Sequence, residues 1–136
     1  PMSRPPVFLA IAYEPLRRLY LDLLSMRSLQ ALCVATDDEA VLESRQRQPG
    51  VLVVDMEPGL DAARARCVRL KSAAGDDCRL IVLLHVPSKD LEQVCLESGA
   101  SDVLPLTDDS EFVAGRIAYW AGKSEAEESS AQAAKA

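Results

Sequence analysis

The chain has 136 residues, of which 49% are hydrophobic and 26% charged, with a formal net charge of −6. That is one domain with enough apolar residue for its own core. The acidic balance excludes a bare nucleic-acid or membrane-surface binder, which needs a basic face, and no apolar run reaches the roughly 20 residues of a membrane span.

Residues 1–5 read as an N-terminal extension, with Pro1-Met2 a tag scar rather than a signal peptide. "PVFLAIA" (Pro6–Ala12) is a continuous apolar run and predicts a buried strand. Leu16, Leu19, Tyr20, Leu23 and Leu24 then recur at helical spacing and predict an amphipathic helix. "LQALCVA" (Leu29–Ala35) predicts a second strand. "TDDE" (Thr36–Glu39) has the form of a capping box, and the helix it opens stops before Pro49-Gly50. "VLVVD" (Val51–Asp55) is the third strand, followed by a helix carrying Ala63, Cys67, Leu70 and Ala74 on one side. "RLIVLL" (Arg79–Leu84) is the fourth strand. Leu91, Val94 and Cys95 mark a helix that ends at Gly99. "DVLPL" (Asp102–Leu106) is a short fifth strand, and Phe112, Val113, Ile117 and Trp120 mark the last helix. The tail from residue 123 to 136 is polar and alanine-rich, and reads as a linker or a helical extension toward a further domain.

Five apolar strands alternating with five helices specify an α/β fold with a parallel sheet covered on both faces, occupying residues 6–122. In such sheets the site lies beyond the carboxyl ends of the strands. The residues that fall there are Ala12, Tyr13 and Glu14, then Asp55, then Leu84 and His85, then Leu106 and Thr107. The four cysteines (Cys33, Cys67, Cys78, Cys95) lack the close spacing of a zinc or redox site. They read as reduced core thiols of a cytoplasmic protein.

Five stretches together resemble the receiver domain of two-component response regulators, the CheY-like family. They are "LAIAYEPLRRLY", "QPGVLVVD", "PGLDA", "RLIVLL" and "ESGASDVLPL". The resemblance implies a doubly wound, flavodoxin-like sheet of strand order 2-1-3-4-5. It also implies a chemistry: an acidic pair on the first strand binds Mg²⁺, an aspartate on the third accepts a phosphoryl group, and a lysine on the fifth contacts that group. A Ser or Thr after the fourth strand and an aromatic on the fifth then form the switch.

Carried over residue by residue, only the phosphoacceptor equivalent, Asp55, remains. The acidic pair falls on Ala12 and Tyr13, with Glu14 one place late; the hydroxyl position is Leu84, the cation position Leu106 and the switch aromatic Val103. The loop after Asp55 is one residue short, since Pro58 follows it by three places. The pattern resembles a degenerate, or pseudo-, receiver that has lost the phosphorylation machinery. On that reading the chain is not an enzyme and takes no cofactor, Mg²⁺ included. It acts by binding a protein partner, an output domain of the same chain, or a second copy through the face of helix four, strand five and helix five. The alternative is a working receiver phosphorylated on Asp55 by a histidine kinase.

His85, the only histidine, is a candidate pocket residue. Paired with Asp55 it has the makings of acid–base chemistry, and with Asp55 and Glu14 of a metal site. No Ser or Cys nucleophile stands at a matching strand end, so the reading taken is a partly solvated rim residue. Tyr13 has two readings: a ring that fills the vacated metal site and bonds Asp55, or a ring turned to solvent. The basic runs "RQRQ" (Arg45–Gln48) and "ARARCVRLK" (Ala63–Lys71) read as solvated helix faces, the second also as a partner patch.

Overall fold

The computed structural model describes residues 5–106 and 109–135, with side chains as far as residue 123. In chain order the elements are β1 (Val7–Ala10), α1 (Glu14–Met26), β2 (Ala31–Cys33), α2 (Asp37–Arg47), β3 (Val51–Met56), α3 (Leu60–Ala74), β4 (Arg79–Leu84), α4 (Lys89–Glu97), β5 (Ala100–Pro105) and α5 (Ser110–Lys135). The strands form one five-stranded sheet in the order β2-β1-β3-β4-β5, parallel at every pairing. The fold class and strand order are those expected. Residues 1–4 of the proposed extension lie outside the described residues.

Strand periodicity divides the interior in two. Val7, Leu9, Val51, Val53, Ile81, Leu83 and Leu104 face one side and pack with Tyr20 and Leu24 of α1 and Val113, Ala114 and Ile117 of α5. Phe8, Leu52, Val54, Leu80 and Val82 face the other, against Ala40 of α2, Ala63, Cys67 and Leu70 of α3, and Leu91 and Cys95 of α4. The continuous apolar runs are thus strands buried on both faces, the pattern a covered parallel sheet requires.

Several boundaries differ from the sequence expectation, each for a local reason. β1 ends at Ala10 rather than Ala12, because the Ile11 carbonyl is taken by the Arg17 guanidinium (3.0 Å) as the chain turns into α1. β2 is three residues rather than seven: it is an edge strand that pairs only with β1, and its last residue, Cys33, pairs with Leu9, one residue before β1 ends. That leaves Cys33 exposed, contrary to the core-thiol reading, while Cys67, Cys78 and Cys95 are buried. β5 starts two residues early, and a register shift between Leu80 and Ile81 leaves Ser101 without a partner on β4. In the capping box the Thr36 hydroxyl accepts from the Glu39 N–H (3.1 Å), but the Glu39 carboxylate reaches the Ala35 N–H (3.1 Å), one residue beyond the expected one. Leu19 and Phe112, assigned to buried helix stripes, are 40% and 51% exposed, since the stripes run through Tyr20 and Leu24, and through Val113, Ala114 and Ile117.

The far end of α3 is fixed by a side chain. Lys71 Nζ donates to the carbonyls of Gly75 (3.1 Å), Asp76 (3.2 Å) and Cys78 (2.5 Å), closing the helix C-terminus. The Lys71 stem lies against Gly99, whose φ is +116° and where an added Cβ would stand 2.9 Å from Lys71 Cγ. Gly99→Ala therefore combines backbone strain with a clash and is expected to cost roughly 2–3 kcal/mol. Gly75→Ala has a similar φ (+94°) but open space, and isolates the strain alone. Urea denaturation of both variants checks this, with the larger loss expected at Gly99.

Candidate functional site

Three chain segments converge at the carboxyl end of the sheet. β3 carries Asp55 as its penultimate residue, level with Leu83 of β4. Its carboxylate is about 7% exposed, deep for a charge, so both oxygens need donors. Oδ1 accepts from the Ala12 N–H (3.3 Å) in the turn between β1 and α1. Oδ2 lies 2.7 Å from Nε2 of His85, which immediately follows β4. The His85 backbone N–H also donates to the Met56 carbonyl (3.0 Å), so His85 is bound to the end of β3 at two points. Its ring is about 30% exposed. His85 is thus partly solvated, as the rim reading has it, and its imidazole is also the closest partner of the Asp55 carboxylate among the described residues.

A cation reaches this region from an unexpected direction. Arg66 of α3 grips Asp37 at the start of α2 with both arms (2.7 and 2.9 Å). Its remaining nitrogen, Nη1, donates to the backbone carbonyl of Asp55 and touches Met56 Sδ (3.6 Å). Burial opposes the charged form of Arg66, but the hydrogen bond and attraction of Asp37, joined by the field of Asp55, outweigh it and raise the guanidinium pKa. Arg69 makes a single, exposed contact to α2, from its Nη2 to Asp38 Oδ1. The basic run in α3 is thus not a plain solvated face: two of its arginines pin α3 to α2. The sequence carried a signal for Arg66, which stands between Ala63 and Cys67 at the edge of the buried stripe.

The other expected site positions fall out as follows. Tyr13 is the residue before the first turn of α1 and is 62% exposed, which decides between its two readings in favour of solvent. Glu14 is exposed in the first turn of α1 and does not join His85 and Asp55; among the described residues no three metal-ligating side chains cluster. Leu84 is 3% exposed in the core beneath α2–α4. Val103 packs against that same core, and Leu106 against the α1/α5 core, its N–H donating to the Leu84 carbonyl (2.8 Å). Thr107 lies outside the described residues.

The fold matches a large set of solved structures. A response regulator from Thermotoga maritima superposes with a TM-score of 0.76 at 15% identity, covering 88% of this chain and 99% of that one. The signal receiver domain of a putative LuxO repressor protein from Vibrio parahaemolyticus gives 0.74 at 18% identity, covering 93% and 96%. This chain has the receiver-domain fold. An orphan response regulator of H. pylori is also similar, with a TM-score of 0.72 at 16% identity over 89% of this chain and 99% of that one. No protein-family model and no curated protein matches the sequence.

The receiver resemblance assigns Mg²⁺ to the positions held here by Ala12 and Tyr13. These residues do not fit the ion. Mg²⁺ demands a near-octahedral shell of oxygens, whereas Ala12 has no side-chain donor and Tyr13 points outward. Both Asp55 oxygens are already engaged by N–H or ring nitrogen partners.

Proposed function

We propose that this chain is a signalling module of two-component type in which the receiver fold acts by protein association, without phosphorylation of Asp55. The observation that carries the reading is the closed state of the Asp55 carboxylate, held by the Ala12 N–H and His85 Nε2. Around it the positions of the metal ligands, hydroxyl and cation carry Ala12, Tyr13, Leu84 and Leu106. A phosphoryl group added to Asp55 brings about two negative charges. To enter, it must displace His85, and Arg66 offers it no free arm, since that guanidinium is spent on Asp37 and on the backbone.

The partner is a protein: an output domain of the same chain, a separate polypeptide or a second copy. The acidic chain makes nucleic acid a poor ligand for this domain. No helix among the described residues is long and apolar enough to cross a membrane, and the module works in the cytoplasm on this reading. α5 continues to Lys135 and serves as the connector to whatever the module controls.

Incubation with acetyl phosphate and Mg²⁺, followed by intact-mass spectrometry, is expected to leave the mass unchanged. A stoichiometric phosphoryl adduct that disappears in Asp55→Asn would instead establish a working receiver. A Mg²⁺ titration by amide NMR is expected to be flat around residues 12–14 and 55–58.

A further inference from the structure

His85 is attached to the end of β3 at two points, one through its backbone and one through its ring. Beyond it the chain runs through Val86, Pro87, Ser88, Lys89 and Asp90, all exposed, before Leu91 re-enters the core. α4 starts within that stretch, with the Ser88 hydroxyl accepting from the Leu91 N–H (3.2 Å). His85 is thus the last residue tied to the sheet before an exposed loop and a short helix of nine residues. One tie is a backbone bond to Met56 that any residue can make; the other, from the ring to Asp55, only this side chain supplies. Without the ring, a carboxylate about 7% exposed keeps one donor at a long 3.3 Å. An under-satisfied buried charge recruits water or moves, and either opens the site.

We propose that the His85 imidazole is a built-in latch. It fastens the loop between β4 and α4 to the end of β3, and it shields the Asp55 carboxylate from solution reagents. The latch explains how the association face proposed above is kept in one state without a chemical signal, and in that respect it rests on that reading. His85 is a positioning residue: it acts on the loop through Asp55 and takes no part in a reaction.

The test compares His85→Ala, His85→Gln and Asp55→Ala with the parent chain, after far-UV circular dichroism has identified the folded variants. Two quantities are read. Hydrogen exchange reports the loop: amides of residues 85–91 are expected to exchange about ten- to a hundredfold faster in His85→Ala, the range for loss of a charge-assisted hydrogen bond. Labelling with a water-soluble carbodiimide and glycine ethyl ester reports the carboxylate, with exposed Glu14 and Glu57 as internal references. Asp55 is expected to stay unlabelled in the parent and to label in His85→Ala.

His85→Gln, whose amide can donate to Asp55, is expected to restore most of both protections. Asp55→Ala is expected to loosen the loop as His85→Ala does, and the double substitution is expected to add little to either. Unchanged exchange of residues 85–91 in both His85→Ala and Asp55→Ala overturns the latch. So does full additivity of the two. Should His85→Ala fail to fold, Asp55→Ala and the Gln variant carry the same decision. Phosphorylation of the parent chain would defeat the proposed function while leaving these exchange results to judge the latch on their own.

Discussion

Above pH 9 the protein is expected to lose stability at about 3 kcal/mol per pH unit from two thiols alone. Cys67 on α3 and Cys78 before β4 are 0% and 1% exposed. Desolvation pushes both thiols from 9.0 up to about 12, with the neighbouring Cys95 adding to the rise at Cys67 and Lys71 opposing it at Cys78. The folded chain therefore keeps both protons between pH 9 and 12, whereas the unfolded chain releases them. The unfolded state binds fewer protons in that window, so stability is fully present below pH 9 and falls as pH rises toward 12. Each group contributes about 1.4 kcal/mol per unit. Urea denaturation from pH 8 to 11 under a phosphine reductant measures the slope. The Cys67→Ala/Cys78→Ala variant is expected to be less stable at pH 8 but to show a flatter decline, and an undiminished decline would assign the effect to other groups.

Asp102→Ala is expected to cost roughly 3 kcal/mol and to loosen α5. Asp102 resumes the pairing of β5 with β4 after the unpaired Ser101 and is 8% exposed. One of its oxygens, Oδ2, accepts from Arg116 Nε (2.8 Å), from Arg116 Nη2 (2.6 Å) and from Trp120 Nε1 (2.9 Å). Arg79 and Lys123 lie over the Trp120 ring at 5.7 and 5.2 Å. Truncation removes the acceptor for both α5 donors, although Arg116, about 43% exposed, recovers part of its loss from water. Asp102→Asn keeps an acceptor and loses the charge, and about half the cost is expected. Trp120 is the only tryptophan, so a red-shifted emission maximum in Asp102→Ala reads the release of α5 directly.

The fold was legible because apolar runs and helical stripes alternate without ambiguity from Val7 to Ile117. Strand ends were less so: Ile11 and Ala12 are as apolar as Leu9, and only the Arg17 side chain, which competes for a carbonyl, ends the ladder there. At the site, Asp55 and the apolar positions Leu84, Val103 and Leu106 fall where the pattern put them. The His85–Asp55 contact was visible only as adjacency of two strand ends, since a ring's direction depends on a rotamer that no periodicity encodes. Arg66 and Asp102 were missed for a related reason. Each sits at the border of a buried stripe, where a charged residue reads as solvated unless its partner, 29 residues away at Asp37 or 14 away at Arg116, is known.

β5 has a further significance. Asp102 and Val103 are neighbours in sequence, yet the strand turns them to opposite sides of the sheet. Val103 abuts the layer that holds α4, and Asp102 grips α5. α4 and α5 belong to different layers, separated by the thickness of the sheet. β5 is thus the strand on which the two layers meet at this edge: α4 packs against it from one side, and Asp102 ties α5 to it from the other. A volume change at Val103 and a charge change at Asp102 therefore act on one strand from opposite faces.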